Sequence, residues 1–238
     1  MKVWLKRSFF GLAVVAIGFY ALAAAHAVDT EVTAEDEEYL AKIYGEEVPG
    51  PRAMTSSLAG ELAVISQVQR AVLRIAPVNG GIPQGLTREP KDLFGTRKGL
   101  CYDRSRTIEK SLRSLGFETR HVYIYSLTGP EALPILKPGV TSHAVTEVRT
   151  REGWMVVDSN FPWIAFTNDG RPMGMAEVRA DVGVGQLHWA APFEGHQNII
   201  YREPFRHLFG VYSRHGRFYP PFNPFPDINW SELMTHFD

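Results

Sequence analysis

Cys101, His143 and Asp158 follow one another in an order and at a rough spacing that suit thiol chemistry. Cys101 stands in Lys98-Gly99-Leu100-Cys101-Tyr102-Asp103, and His143 in Ser142-His143-Ala144-Val145-Thr146-Glu147-Val148. Asp158 closes Gly153-Trp154-Met155-Val156-Val157-Asp158. A thiol attacks an acyl carbon as thiolate, so it needs a base to take its proton. The base in turn needs a third group to fix its tautomer and orientation. The three residues offer one group for each role: nucleophile, general base and orienter.

Cys101 is the only cysteine in the chain, so it makes no internal disulfide. That leaves buried filler, an intermolecular partner or a reactive thiol. A helix N-terminus favours negative charge by about 0.3–1 kcal/mol, which is too little to activate a thiol unaided, so an imidazolium must supply the rest. Gly99 is expected to let a substrate backbone approach, and the Cys101 amide to donate to a developing oxyanion. Glu147 competes with Asp158 as orienter, but four residues along one strand put it roughly 13 Å from His143. His121 competes as base, and its place within a strand reads as structural.

The surrounding elements must bring these groups together. Leu58, Leu62, Ile65, Val68, Val72 and Ile75 recur at helical spacing, which predicts a helix over 56–76 with Ser56 or Ser57 at its N-cap. A polar loop is expected from there to Gly99. Ile108, Leu112 and Leu115 mark one side of a second helix that starts at or just after Cys101, with Arg104, Lys110 and Arg113 largely elsewhere and Gly116 as its stop. Thr119–Ser126 reads as a strand, and a loop with Gly129, Pro130, Pro134, Pro138 and Gly139 leads to Ser142. Residues 144–149 and 154–158 read as two strands joined by a hairpin at Thr150-Arg151-Glu152-Gly153. The fold class expected is α+β, the nucleophile-bearing helix packed on an antiparallel sheet. Pairing across the hairpin carries His143 and Asp158 toward each other.

The rest of the chain divides into a targeting segment at 1–27, an acidic and partly mobile stretch at 28–55, the main domain at 56–192 and an aromatic, proline-rich tail at 193–238 expected to wrap it. In the first, Lys2, Lys6 and Arg7 precede the apolar run from Phe9 to Ala25, and Ala25-His26-Ala27 has the form of a signal-peptidase site. The run is near the shortest length that spans a bilayer, so either a cleaved signal or a retained anchor is expected, with the body outside the cytoplasm. The 238 residues carry a formal net charge of −1 and no basic stripe, which argues against a nucleic-acid partner. One Cys with scattered histidines gives no metal-ligand spacing, and no G-x-S-x-G turn offers a serine nucleophile. No metal or cofactor is expected.

At these segments the chain resembles the transglutaminase-like superfamily, a branch of the papain-like cysteine-enzyme fold. The resemblance rests on Gly99-Leu100-Cys101, Leu115-Gly116-Phe117-Glu118-Thr119-Arg120, His143 through Val148, and Gly153 through Asp158, and covers about residues 56–166. It implies Cys101 as nucleophile, His143 as general base and then acid, and Asp158 as orienter. Val145 stands where the family often has an aromatic residue. A second oxyanion donor is not placed, with Gln67 and Gln69 as candidates. The family includes protein cross-linkers, peptidases, amidases and members with no activity. Two readings follow: an exported thiol acyl-transfer enzyme acting on an amide or peptide bond of a protein or peptide, with the cell envelope as one source, or a silent scaffold that binds an envelope protein or glycan. The sequence leaves the oligomeric state open.

Overall fold

The β-branched and aromatic run at 119–126 and the two segments flanking the hairpin fold as expected, into strands β1 (Thr119–Ser126), β2 (Ser142–Thr150) and β3 (Gly153–Val157). The computed structural model describes residues 15–47, 49–83, 86–128, 140–180, 188–189, 199–212 and 227–236. A fourth strand, β4 (Phe205–Phe209), completes an antiparallel sheet in the order β3-β2-β1-β4. Thr150 pairs with Gly153 at the hairpin, where Gly153 takes φ 132, a value that other residues rarely adopt. The loop expected at 129–139 lies outside the described residues.

Helices α1 (Ala34–Tyr44), α2 (Leu58–Ile75), α3 (Pro90–Thr96) and α4 (Cys101–Ser114) lie before the sheet in sequence. Ser57 caps α2, its hydroxyl accepting from the Gly60 N–H at 3.2 Å. Gly116, at φ 87, ends α4, and the Phe117 N–H returns to the Leu112 carbonyl at 2.9 Å. Ile65, Val68, Ile108, Leu112, Val148 and Val157 are buried in one core that joins α1, α2 and α4 to a sheet face. Each contributes roughly 1.5–3 kcal/mol by leaving water. Val122, Ile124, Val145, Trp163, Met175 and Tyr201 belong to a second core.

Three expectations change. Residues 28–55 are not simply an acidic, mobile stretch: a capping box between Thr33 and Asp36 starts α1, whose Leu40, Ile43 and Tyr44 are buried. Asp36 reaches Lys110 of α4 at 2.6 Å. The polar run before Gly99 contains α3. The tail after 193 does more than wrap, since its Phe205–Phe209 is a strand of the main sheet, paired with β1. Its five residues are too few to show alternation clearly, and its pairing with β1 is a long-range contact.

Helix α4 also departs from the amphipathic pattern. Arg104, Arg106, Glu109 and Lys110 are all buried. The helix is packed between the other helices and the sheet, and its charges pair: Lys110 with Asp36 and Glu89, Arg106 with Glu89, Arg113 with Glu109 and Glu232. Pairing is what lets these groups leave water.

Residues 15–25, in the expected targeting segment, are helical, and Val15, Ile17, Phe19 and Tyr20 are exposed. Among the described residues no helix is long and apolar enough to cross a membrane. Residues 1–14 lie outside the described residues.

Candidate active site

Cys101 is the first residue of α4, so its amide N–H has no intrahelical acceptor. The turn that presents it is pinned from below. The Asp103 carboxyl accepts the Leu100 N–H at 2.8 Å, and Arg88 donates to its other oxygen at 2.8 Å. Arg88 is itself buried, with a left-handed backbone at φ 62. Burial pushes the Asp103 carboxyl up, against the pull of Arg88. Neither residue was singled out from the sequence; an acidic residue at the third helical position is the signal that could have found Asp103.

α3 packs against Gly99, where a Cβ would come within 2.6 Å of Leu93 Cδ1.

His143 lies near the start of β2 and Asp158 directly follows β3, as hairpin pairing requires. Both are buried, and His143 Nε2 lies 2.7 Å from Asp158 Oδ2. Asp158 is held by three further donors: the Tyr201 hydroxyl at 2.9 Å on Oδ2, and the N–H groups of Asn160 at 2.6 Å and Phe161 at 2.8 Å on Oδ1. Tyr201 also meets the His143 ring edge-on, with centroids 6.0 Å apart. Nothing in its local sequence marks Tyr201 as part of the site; only the tail's return beside β1 brings it there.

The second ring nitrogen of His143, Nδ1, has no partner within strict hydrogen-bond geometry. Cys101 lies close enough to act on the ring by charge and hydrogen bonding. Burial alone would push His143 down. Asp158 first, and Cys101 after it, turn the balance and raise it to about 10. The imidazole is therefore a cation at neutral pH, bonded to a carboxyl through one nitrogen and with the other left for the thiol. Cys101 itself is partly exposed, so a reagent can reach it.

The competitors are engaged elsewhere. Glu147 bonds to Arg120 at 2.5 Å and to the Met175 N–H. His121 is buried, its Nδ1 3.2 Å from the Ser105 hydroxyl and its ring stacked on Tyr212. Gln69 donates to the carbonyls of Asp158, Phe161 and Trp163, and Gln67 to that of Glu47. Both amides are thus committed away from an oxyanion. Gln69 instead clamps the loop after Asp158. Among the described residues no three His, Cys, Asp or Glu side chains are grouped to hold a metal ion.

The family model of the transglutaminase-like superfamily matches residues 54–159, which span Cys101, His143 and Asp158. No curated protein matches the sequence. A solved structure of a candidate cysteine protease from Cytophaga hutchinsonii is similar at 15% identity and a TM-score of 0.37, over 75% of this chain and 60% of that one. This chain therefore spans about three fifths of that protein's length. Residues 54–159, with the helix that bears Cys101 and the strands that bear His143 and Asp158, are thus similar to the transglutaminase-like superfamily.

Proposed function

We propose that the protein is an exported thiol enzyme that forms an acyl intermediate on Cys101 from an amide or peptide bond and passes the acyl group to water or an amine. The observation that carries this reading is His143, bonded to Asp158 at 2.7 Å through Nε2, with Nδ1 unpaired and Cys101 acting on the ring. In the first half-reaction the Cys101 sulfur bonds to the carbonyl carbon and the π pair moves to oxygen, where the Cys101 N–H can donate. The C–N bond breaks as His143 gives its proton to the departing amine. In the second half, His143 takes a proton from water or an acceptor amine as that group attacks the thioester, and the C–S bond breaks. Asp158 keeps Nε2 protonated throughout, so that Nδ1 faces the chemistry.

Export is supported by Lys2, Lys6 and Arg7 before the apolar run, and by the exposed helix at 15–25. The residues after that helix are tied to the body: the Ile228 N–H donates to the His26 carbonyl and the Val28 N–H to the Ile228 carbonyl, both at 2.9 Å. This pairing favours a retained anchor over cleavage after Ala27, and mass spectrometry of the mature N-terminus decides between them.

A panel of quenched fluorescent peptides tests the reaction. The reading expects acylation of Cys101, trapped as a thioester by mass spectrometry, and no turnover by Cys101→Ala. A protein that binds peptides without acylation is the silent scaffold instead.

A further inference from the structure

Arg104 is buried one turn along α4 from Cys101, and its hydrogen bonds go only to neutral groups: the carbonyls of Ala76 at 2.9 Å and Val78 at 3.1 Å, and the side-chain oxygens of Asn160 at 2.8 Å and Asn79 at 3.5 Å. The other cations of the same helix, Arg106, Lys110 and Arg113, all have carboxylates. No carboxylate is hydrogen-bonded to this buried guanidinium, and its charge acts at longer range on Cys101, Asp103 and Asp158. Arg104, three residues after Cys101, and Asn160, two residues after Asp158, also wall a cavity of about 520 Å³. Its rim carries Arg70 and Arg74, its apolar lining includes Leu73 and Pro162, and no Asp or Glu lines it. Arg74 meets Glu47 at 3.3 Å, a solvent-exposed pair that is easily exchanged. Arg70 is exposed and has no ion pair among the described residues.

Three guanidinium groups around a cavity without a carboxylate make a site for an anion. We infer that this cavity receives a carboxylate of the substrate, so that the enzyme selects peptides with an acidic residue next to the attacked bond. Arg70 and Arg74 contact the carboxylate, with a fork geometry that suits it. Arg104, already bonded, adds positive potential between the cavity and the thiol. This inference rests on the reading of Cys101 as nucleophile.

The test uses two alkylating reagents of one size, iodoacetate and iodoacetamide, on the full protein. The neutral reagent reads the thiol, and the ratio of the two rates reads the cavity. The double variant Arg70→Gln, Arg74→Gln changes exposed side chains only, and should lower the iodoacetate to iodoacetamide ratio roughly threefold to tenfold. About 0.5 M salt should lower the wild-type ratio in the same direction. In the peptide panel, Glu at the position beside the attacked bond should give a higher kcat/KM than Gln, and the double variant should erase the difference. A ratio that neither the variant nor salt moves, with Cys101 still reacting with iodoacetamide, overturns the inference alone. A Cys101 inert to iodoacetamide overturns both it and the proposed reaction.

Discussion

His143 and His121 are both fully buried on neighbouring strands, each with one ring nitrogen bonded and the other unpaired, yet they are pushed in opposite directions. His143 is raised to about 10, where Asp158 outweighs burial. His121 is lowered to about 3 by burial and then by the charge of Arg106. The first ring meets a carboxyl; the second meets a hydroxyl and stacks on Tyr212 at 4.1 Å. Around His121, Tyr212 donates to Glu109, and burial together with Glu109 pushes Glu232 up to about 8. That cluster ties the helix Trp230–Met234 to α4 and β1. One helix thus presents a charged histidine site at its N-terminus and a neutral one in its middle. Burial alone does not set the charge of a histidine; the partners of its ring do.

The largest separation of the two sites should appear in turnover. Cys101→Ala and His143→Ala should each cost on the order of 10⁴-fold or more, and the double variant should cost little beyond either, because the two act as one unit. Losses that are modest and multiply, measured as kcat/KM on an acylated peptide, would dissolve the distinction.

Asp158→Asn should cost less, roughly 10²- to 10⁴-fold, since nucleophile and base remain while tautomer and charge are disturbed. A silent Asp158→Asn beside a damaging Glu147→Gln would move the orienter to the wrong residue.

At the other site the effect should fall on stability. Tyr212→Phe removes the donor shared by Glu109 and Glu232 and should cost about 1–3 kcal/mol by denaturant unfolding, with turnover retained. Lost turnover at unchanged stability would make the His121 cluster part of the machinery.

The smallest effects are the pH limbs of stability, and they have opposite signs. His143 is raised from its ordinary 6.5, so its contribution is complete below pH 6.5 and is lost as pH rises through about 10. His121 is depressed, so its contribution is present above pH 6.5 and is lost as pH falls toward about 3. Thermal unfolding across pH should therefore show His121→Gln flattening the acid limb and His143→Gln the alkaline one. Both variants acting on the same limb would contradict the assigned states.

The sheet and the approach of His143 to Asp158 were legible in the sequence because period-2 patterning and a two-residue turn are local signals. Helix α2 was legible for the same reason. The charged face of α4 misled, because Arg104, Lys110 and Arg113 lie off its apolar stripe, yet Lys110 pairs with Asp36 and Glu89, Arg113 with Glu109 and Glu232, and Arg104 bonds to neutral oxygens. Residues 28–55 misled likewise: the acidity that suggested mobility is in part the Asp36 that Lys110 requires. Tyr201, Arg88 and β4 were invisible because their roles are made by long-range contacts.

The central claim is that Cys101 and His143 form one reactive pair, and alkylation of Cys101 by iodoacetamide at about pH 6 tests it most directly. The pair predicts wild type reacting at least about tenfold faster than His143→Ala, with His121→Gln close to wild type. Equal rates in wild type and His143→Ala would show that the imidazole does nothing for the thiol and would contradict the account.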